Sequence, residues 1–240
     1  MSVVKHEQPT GEQDARPLLL ASSSPRRREI LGRTGVDFQI VPADLDEDAF
    51  AAAFGGSYPE LVEALAVAKA RAVAASQPDV AGLILAADTT VILDGEMLSK
   101  PRDPADAARM LRLLCGRVHQ VATGVAVFER QADVLESAHL VTAVHMRPYS
   151  DEEIARYVAT GDSLDKAGAY AVQHALFHPV ERVEGCYLSV VGLPLCLVSR
   201  LLRRHGLALA PLIASVAAQP QRCLWAEQCQ PPLPAGAASG

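Results

Sequence analysis

Aromatic residues are scarce in this 240-residue chain, at 5% of positions, while half of all residues are apolar. A core built from it has to be made of Leu, Val and Ala. An excess of positive charge is also missing. The formal net charge of -6 argues against a sequence-independent grip on nucleic acid or on an anionic membrane. The five cysteines (Cys115, Cys186, Cys196, Cys223 and Cys229) are odd in number and form no Cys-x-x-Cys pair. That sets aside a disulfide framework and a zinc site, and points to reduced thiols in a cytoplasmic protein. No apolar run reaches the ~18–20 uninterrupted residues of a membrane helix. The opening residues lack the apolar segment of a secretory leader. The seven histidines show no metal-ligand spacing, and Gly-x-Ser-x-Gly, P-loop and dinucleotide fingerprints are absent.

What is present begins with Ser22-Ser23-Ser24-Pro25-Arg26-Arg27-Arg28, between an apolar run at 18–21 and Glu29-Ile30-Leu31. The order reads as strand, tight serine turn and helix, with Ser24 as N-cap and Pro25 at the first helical position. Three arginines in a first turn oppose the helix dipole, at a cost of about 0.3–1 kcal/mol each. An anion held by free amides, hydroxyls and guanidinium forks would offset that cost. A solvated basic helix end is the plainer alternative.

Further along, the pattern predicts a strand at 36–41, an acidic loop at 44–48, and a helix at 59–77 with Leu61, Leu65, Ala68 and Ala72 on one stripe. A buried strand at 82–87 ends at Asp88-Thr89-Thr90, and a hairpin follows around Asp94-Gly95. A helix is expected at 104–114, and two long antiparallel β segments at 118–128 and 135–146. Ser150 with Glu153 forms a capping box for a helix running to about residue 159. Short strands are expected at 169–172 and 187–191, and a last helix at 193–204. Residues 1–16 read as a flexible arm and 208–240 as a poorly ordered Pro- and Ala-rich tail, leaving one domain at 17–207. The fold expected is α/β: a mixed, elongated β-sheet flanked by helices, in two lobes around a cleft.

Several side chains could carry chemistry. Asp88, placed at the end of a core strand, could bind Mg²⁺ or take a proton from water, or simply form an Asx turn. Lys100, held extended before Pro101, is free to meet a ligand. Lys69 sits in a small apolar helix segment, where a solvated face is the simpler expectation. Glu47 and its acidic neighbours could hold a divalent cation or line an exposed loop. Lys166 adjoins a glycine turn, where a salt bridge is the alternative, and Gln173 has the amide to read a base edge. His119 reads as a strand hydrogen-bonding residue rather than a catalyst.

Five blocks in one order, ASSSPRRREIL (21–31), AADTTVILDGEMLSKPRD (86–103), GRVHQVATGVAV (116–127), LDKAGAYAVQ (164–173) and VVGLPL (190–195), resemble the Maf family of nucleoside triphosphate pyrophosphatases. The Asp-Lys-Ala-Gly block with its following Gln is similar to the branch acting on dTTP and UTP. The resemblance implies an ITPase-like fold and hydrolysis between the α- and β-phosphates with a divalent metal, Mg²⁺ or Mn²⁺. It implies Asp88 as proton acceptor and Arg26, Thr89 and Gln173 at positions that set substrate preference. Ser22, Arg27, Glu47, Lys69, Lys100 and Lys166 would line the phosphate and metal site, with Glu47 and Asp88 as metal ligands. A homodimer, and no nucleic-acid or membrane partner, are the further expectations. After Gln173 the family pattern runs on with glycines, whereas this chain has His174-Ala175-Leu176-Phe177-His178-Pro179. Side chains replace a close backbone approach, and the base preference stays open. Cys186 and Ser189 likewise replace the usual Ser and Asn. A 7-methyl-GTP pyrophosphatase and a nucleotide-binding regulator of septum formation are the alternative readings.

Overall fold

The computed structural model describes residues 16–79 and 81–209. The tail, with Cys223 and Cys229, and all of the arm but Arg16 lie outside them. Arg16, counted with the arm, is anchored by an ion pair to Glu129 at 2.5 Å.

The all-apolar run Leu18–Leu20 forms β1, buried on both faces, and hands directly to α1 (Pro25–Gly32). β2 (Phe38–Ile40) pairs parallel with β1 on one side, and β3 (Leu83–Leu93) pairs parallel with it on the other. Between them lie α2 (Glu47–Ala53) and the long α3 (Tyr58–Ser76). β3 turns back at Asp94 and Gly95, both at positive φ, into β4 (Glu96–Leu98); two residues at positive φ give the turn whose twist suits a two-residue hairpin. α4 (Pro104–Leu114) leads to β5 (Val118–Glu129) and β6 (Val134–Met146), long antiparallel partners as the sequence predicts. α5 (Asp151–Val158) carries the expected Ser150–Glu153 capping box. β7 (Val180–Glu184), α6 (Tyr187–Val191) and α7 (Leu195–Arg204) complete a mixed seven-stranded sheet of order β2-β1-β3-β5-β6-β7, with β4 on the edge of β3.

Four sequence expectations are corrected. The strand at 82–87 does not stop at Asp88 but runs on to Leu93, because β5 pairs with it from Leu83 to Ile92. Residues 169–172 form a 3-10 turn and loop rather than a strand, since Gly168 and Ala169 sit at positive φ. Tyr187–Val191 is a helical turn closed by Gly192 at φ +116°; a short apolar run does not distinguish a strand from a buried helix. The acidic loop is in part a helix start, with Asp46 capping the Ala49 amide and Glu47 opening α2. β7, an edge strand with exposed charges, is absent from the sequence reading.

The core divides along β3. Its first half (Leu83, Leu85, Ala87) packs with β1, α1 and α7 on one face, and Ile84 and Ala86 pack with α3 on the other. Its last residues, Val91 and Leu93, belong to a separate cluster with α4, α5 and Tyr170. Asp88, Thr89 and Thr90 fall between these apolar groups.

Candidate active site

Pairing with β1 ends at Leu85 and pairing with β4 begins at Val91, so residues 86–90 have a strand neighbour only on the β5 side. The other side is a gap in the sheet. The serine turn after β1 borders it, and a pocket of about 750 Å³ opens there, lined by Ser22, Arg26, Arg27, Glu47, Lys69, Asp88, Thr89, Lys100, Lys166 and Gln173 among others. Every residue that sequence reasoning selected therefore faces one pocket.

Alternation along β3 sends Asp88 and Thr89 to opposite faces of the sheet. Asp88 shares its face with Gly124, its partner on β5. A Cβ on Gly124 would lie 2.3 Å from the Val62 carbonyl oxygen and 2.4 Å from the Glu63 nitrogen, so this glycine lets α3 rest directly on the sheet. α3 then presents Lys69 to Asp88. The Lys69 ammonium, buried, donates to Asp88 Oδ1 at 2.6 Å and lies 2.9 Å from Glu47 Oε2. The simpler expectation of a solvated Lys69 is thus wrong: it lies on the buried stripe with Leu65, Ala66, Ala70 and Val73. Asp88 Oδ2 has no hydrogen-bond partner among the described residues.

On the opposite face, Ser24 caps α1 through the Arg27 amide, and its own amide donates to Ser22 Oγ at 3.2 Å. Pro25 has no N–H and the Arg28 amide donates to the Ser24 carbonyl at 3.2 Å, so only the Arg26 amide of the first turn is left without a helix partner. Arg27 is clamped by three neutral acceptors: the Gly192 carbonyl (2.9 Å), Ser22 Oγ (3.3 Å) and Thr89 Oγ1 (3.1 Å). Burial pulls its pKa down from the arginine range, with Asp88 and Glu47 opposing that shift. Thr123 gives its only hydroxyl proton to the Ser189 carbonyl (2.8 Å), so Thr89 donates to Thr123 (3.0 Å) and accepts from Arg27. Thr123, Gly124 and Gly192 were not selected from the sequence, because they act through a cross-strand register and a backbone carbonyl that no local pattern signals.

Lys166 is the second buried lysine. It bonds the Asp162 carbonyl, Asp162 Oδ1 at 2.8 Å and Asp165 Oδ1 at 2.6 Å, while Arg26 stands 3.7 Å from Asp165. The salt bridge and the place in the pocket wall both hold for this residue. Lys100 and Gln173 are exposed on the rim. Behind the wall, Tyr170 hydrogen-bonds His119 Nε2 at 2.7 Å; burial lowers the His119 pKa to about 4, with the charge of His145 adding to the shift. His119 is a strand hydrogen-bonding residue, as expected.

Among the described residues, no three His, Cys, Asp or Glu side chains are grouped to hold a metal. Two carboxylates, Glu47 and Asp88, do converge on a single cationic group, the Lys69 ammonium. No helix among the described residues is long and apolar enough to cross a membrane.

Comparison with known proteins gives a match of residues 17–205 to the Maf-like protein family model. A dTTP/UTP pyrophosphatase of Moorella thermoacetica is 49% identical over 189 residues, covering 79% of this chain and 95% of the relative. Proteins with the same name from Citrifermentans bemidjiense and Geobacter sulfurreducens are 45% and 44% identical, over 79% of this chain and 95% and 96% of theirs.

Proposed function

The chain belongs to the Maf family, and we propose that it is a dTTP/UTP pyrophosphatase, converting a pyrimidine nucleoside triphosphate and one water to the monophosphate and pyrophosphate. The observation that carries this reading is the pocket in the sheet gap, where a buried acid, Asp88, faces a wall holding Arg26, Arg27, Lys100 and Lys166. A triphosphate bears roughly four negative charges, and its hydrolysis needs cations where charge builds up on the leaving pyrophosphate.

Asp88 is the proton acceptor. Lys69 holds one carboxylate oxygen, leaving Oδ2 to orient water and take its proton. Ser22, Arg27 and the Arg26 amide of α1 receive phosphate oxygens, with Lys100 and Lys166 across the pocket. Arg26, Thr89 and Gln173 set substrate preference. A divalent cation, Mg²⁺ or Mn²⁺, fits the donor set, since such ions take hard carboxylate oxygens and share phosphate and water. Glu47 and Asp88 would hold it, and it would neutralise phosphate charge.

The active unit is residues 17–207, read as two lobes meeting at the pocket; the split of the core on either side of residues 88–90 supports this. The free thiol of Cys115 suits a cytoplasmic, reducing setting. A homodimer belongs to the same proposal.

Purified protein with Mg²⁺ and dTTP or UTP should release pyrophosphate. Asp88→Asn, which keeps an acceptor for Lys69 but not the charge, should lower kcat by at least about 100-fold while sparing most substrate binding. Orthophosphate as first product would reject the bond assignment, and hydrolysis confined to 7-methyl-GTP would reject the base assignment.

A further inference from the structure

A second pocket, of about 480 Å³, adjoins the first and shares Arg26, Lys166 and Gln173 with it. His174 and Leu176, in the stretch after Gln173 that departs from the glycines of the family pattern, line this second space. Leu176 is 88% exposed and has little to pack on in the free protein.

His174 is held in one orientation and one tautomer. Its ring meets Tyr157 edge-on, with centroids 4.7 Å apart, and Tyr157 is itself buried and stacked on Phe177 at 4.5 Å. The Phe177 amide donates to His174 Nδ1 at 3.0 Å. In the neutral imidazole the proton must then sit on Nε2, which has no hydrogen-bond partner among the described residues and is not sealed from solvent; Asp162 is the charged neighbour in the same pocket. A ring flip would forfeit the Phe177 bond, so His174 offers its pocket a donor only. The neighbouring Gln173 differs. Its amide has a donor end and an acceptor end and suits either kind of base edge by turning over.

We propose that His174 is a specificity-determining residue that selects 4-oxo pyrimidines over 4-amino pyrimidines, through a fixed N–H donor beside an adaptable glutamine. The inference rests on reading the chain as a pyrimidine nucleotide pyrophosphatase. Thymine and uracil carry an acceptor oxygen at position 4, whereas cytosine carries an amino donor there. Against His174, cytosine brings two donors face to face and leaves both without an acceptor, and such a mismatch is rejected more strongly than a missing apolar contact.

The test is kcat/KM for UTP and CTP, measured on the same preparations of wild type, His174→Ala and His174→Gln. The wild type should prefer UTP. His174→Ala should cut the UTP/CTP ratio by at least about ten-fold, chiefly through a higher KM for UTP. His174→Gln, whose amide can turn either way, should recover affinity for UTP lost in the alanine variant yet keep the ratio low. A ratio within one preparation does not depend on how much of it is folded. Equal changes for UTP and CTP in both variants would make His174 merely structural and overturn the proposal, as would a wild type indifferent between the two. A wild type that hydrolyses neither, nor dTTP, would instead overturn the pyrophosphatase reading.

Discussion

Single side chains in this molecule are tuned by what surrounds them. His119 is 2% exposed, and its Nδ1 has no hydrogen-bond partner among the described residues. Its folded-state pKa of about 4 lies below the ordinary 6.5, so the unfolded chain takes up the proton first as pH falls. The stability this residue contributes is complete above pH 6.5 and is lost on descending towards pH 4. The full difference is about 3 kcal/mol for a shift of this size. Thermal melts between pH 7 and 4 should therefore show a steeper loss for wild type than for His119→Gln, which can still partner the Tyr170 hydroxyl. Parallel pH curves would remove His119 as the cause.

Secondary-structure elements decide which of these side chains meet. Helix α3 bears on the sheet at Gly124, and its angle of approach brings Lys69 to Asp88. Gly124→Ala would drive a methyl group into the α3 backbone, where no rotamer change can relieve it, at a cost of about 1–3 kcal/mol or more. A lower melting temperature and a fall in kcat should appear together. A variant losing stability with unchanged kcat would mean that α3 can shift without disturbing the acid. This contact also marks how far the sequence could be read. The strand–serine turn–helix start, the capping boxes and the β5–β6 pair were legible because hydrophobic period and cap chemistry are local. Lys69 was legible in principle, lying in line with Leu65, Ala66, Ala70 and Val73, but a stripe anchored on Ala68 and Ala72 put it on the wrong side. The extension of β3 past Asp88 was not legible, because it depends on a partner some 35 residues away that supplies the hydrogen bonds. The same holds for Arg27, whose clamp is built from the carbonyl of the glycine that closes α6 and a threonine on β3.

At the scale of the whole molecule, the ends of the described chain are tied to each other away from the pocket. Glu129, the last residue of β5, binds both Arg16 and the buried His205 beyond α7. Glu129→Gln should lower the Tm by several degrees while leaving the KM for nucleotide unchanged; a shifted KM would mean that this tie reaches the site. The gap at residues 86–90 has a different reach. A sheet edge usually invites another strand to add to it, with the hazard of unwanted assembly. Here the vacancy is internal and walled at both ends, by β1 and by β4. At about 3.3 Å per residue it is a window of roughly 17 Å, and the pocket opens into it. The interruption thus leaves one side of the β3 backbone at residues 86–90 open towards the pocket, where a bound solute can reach it.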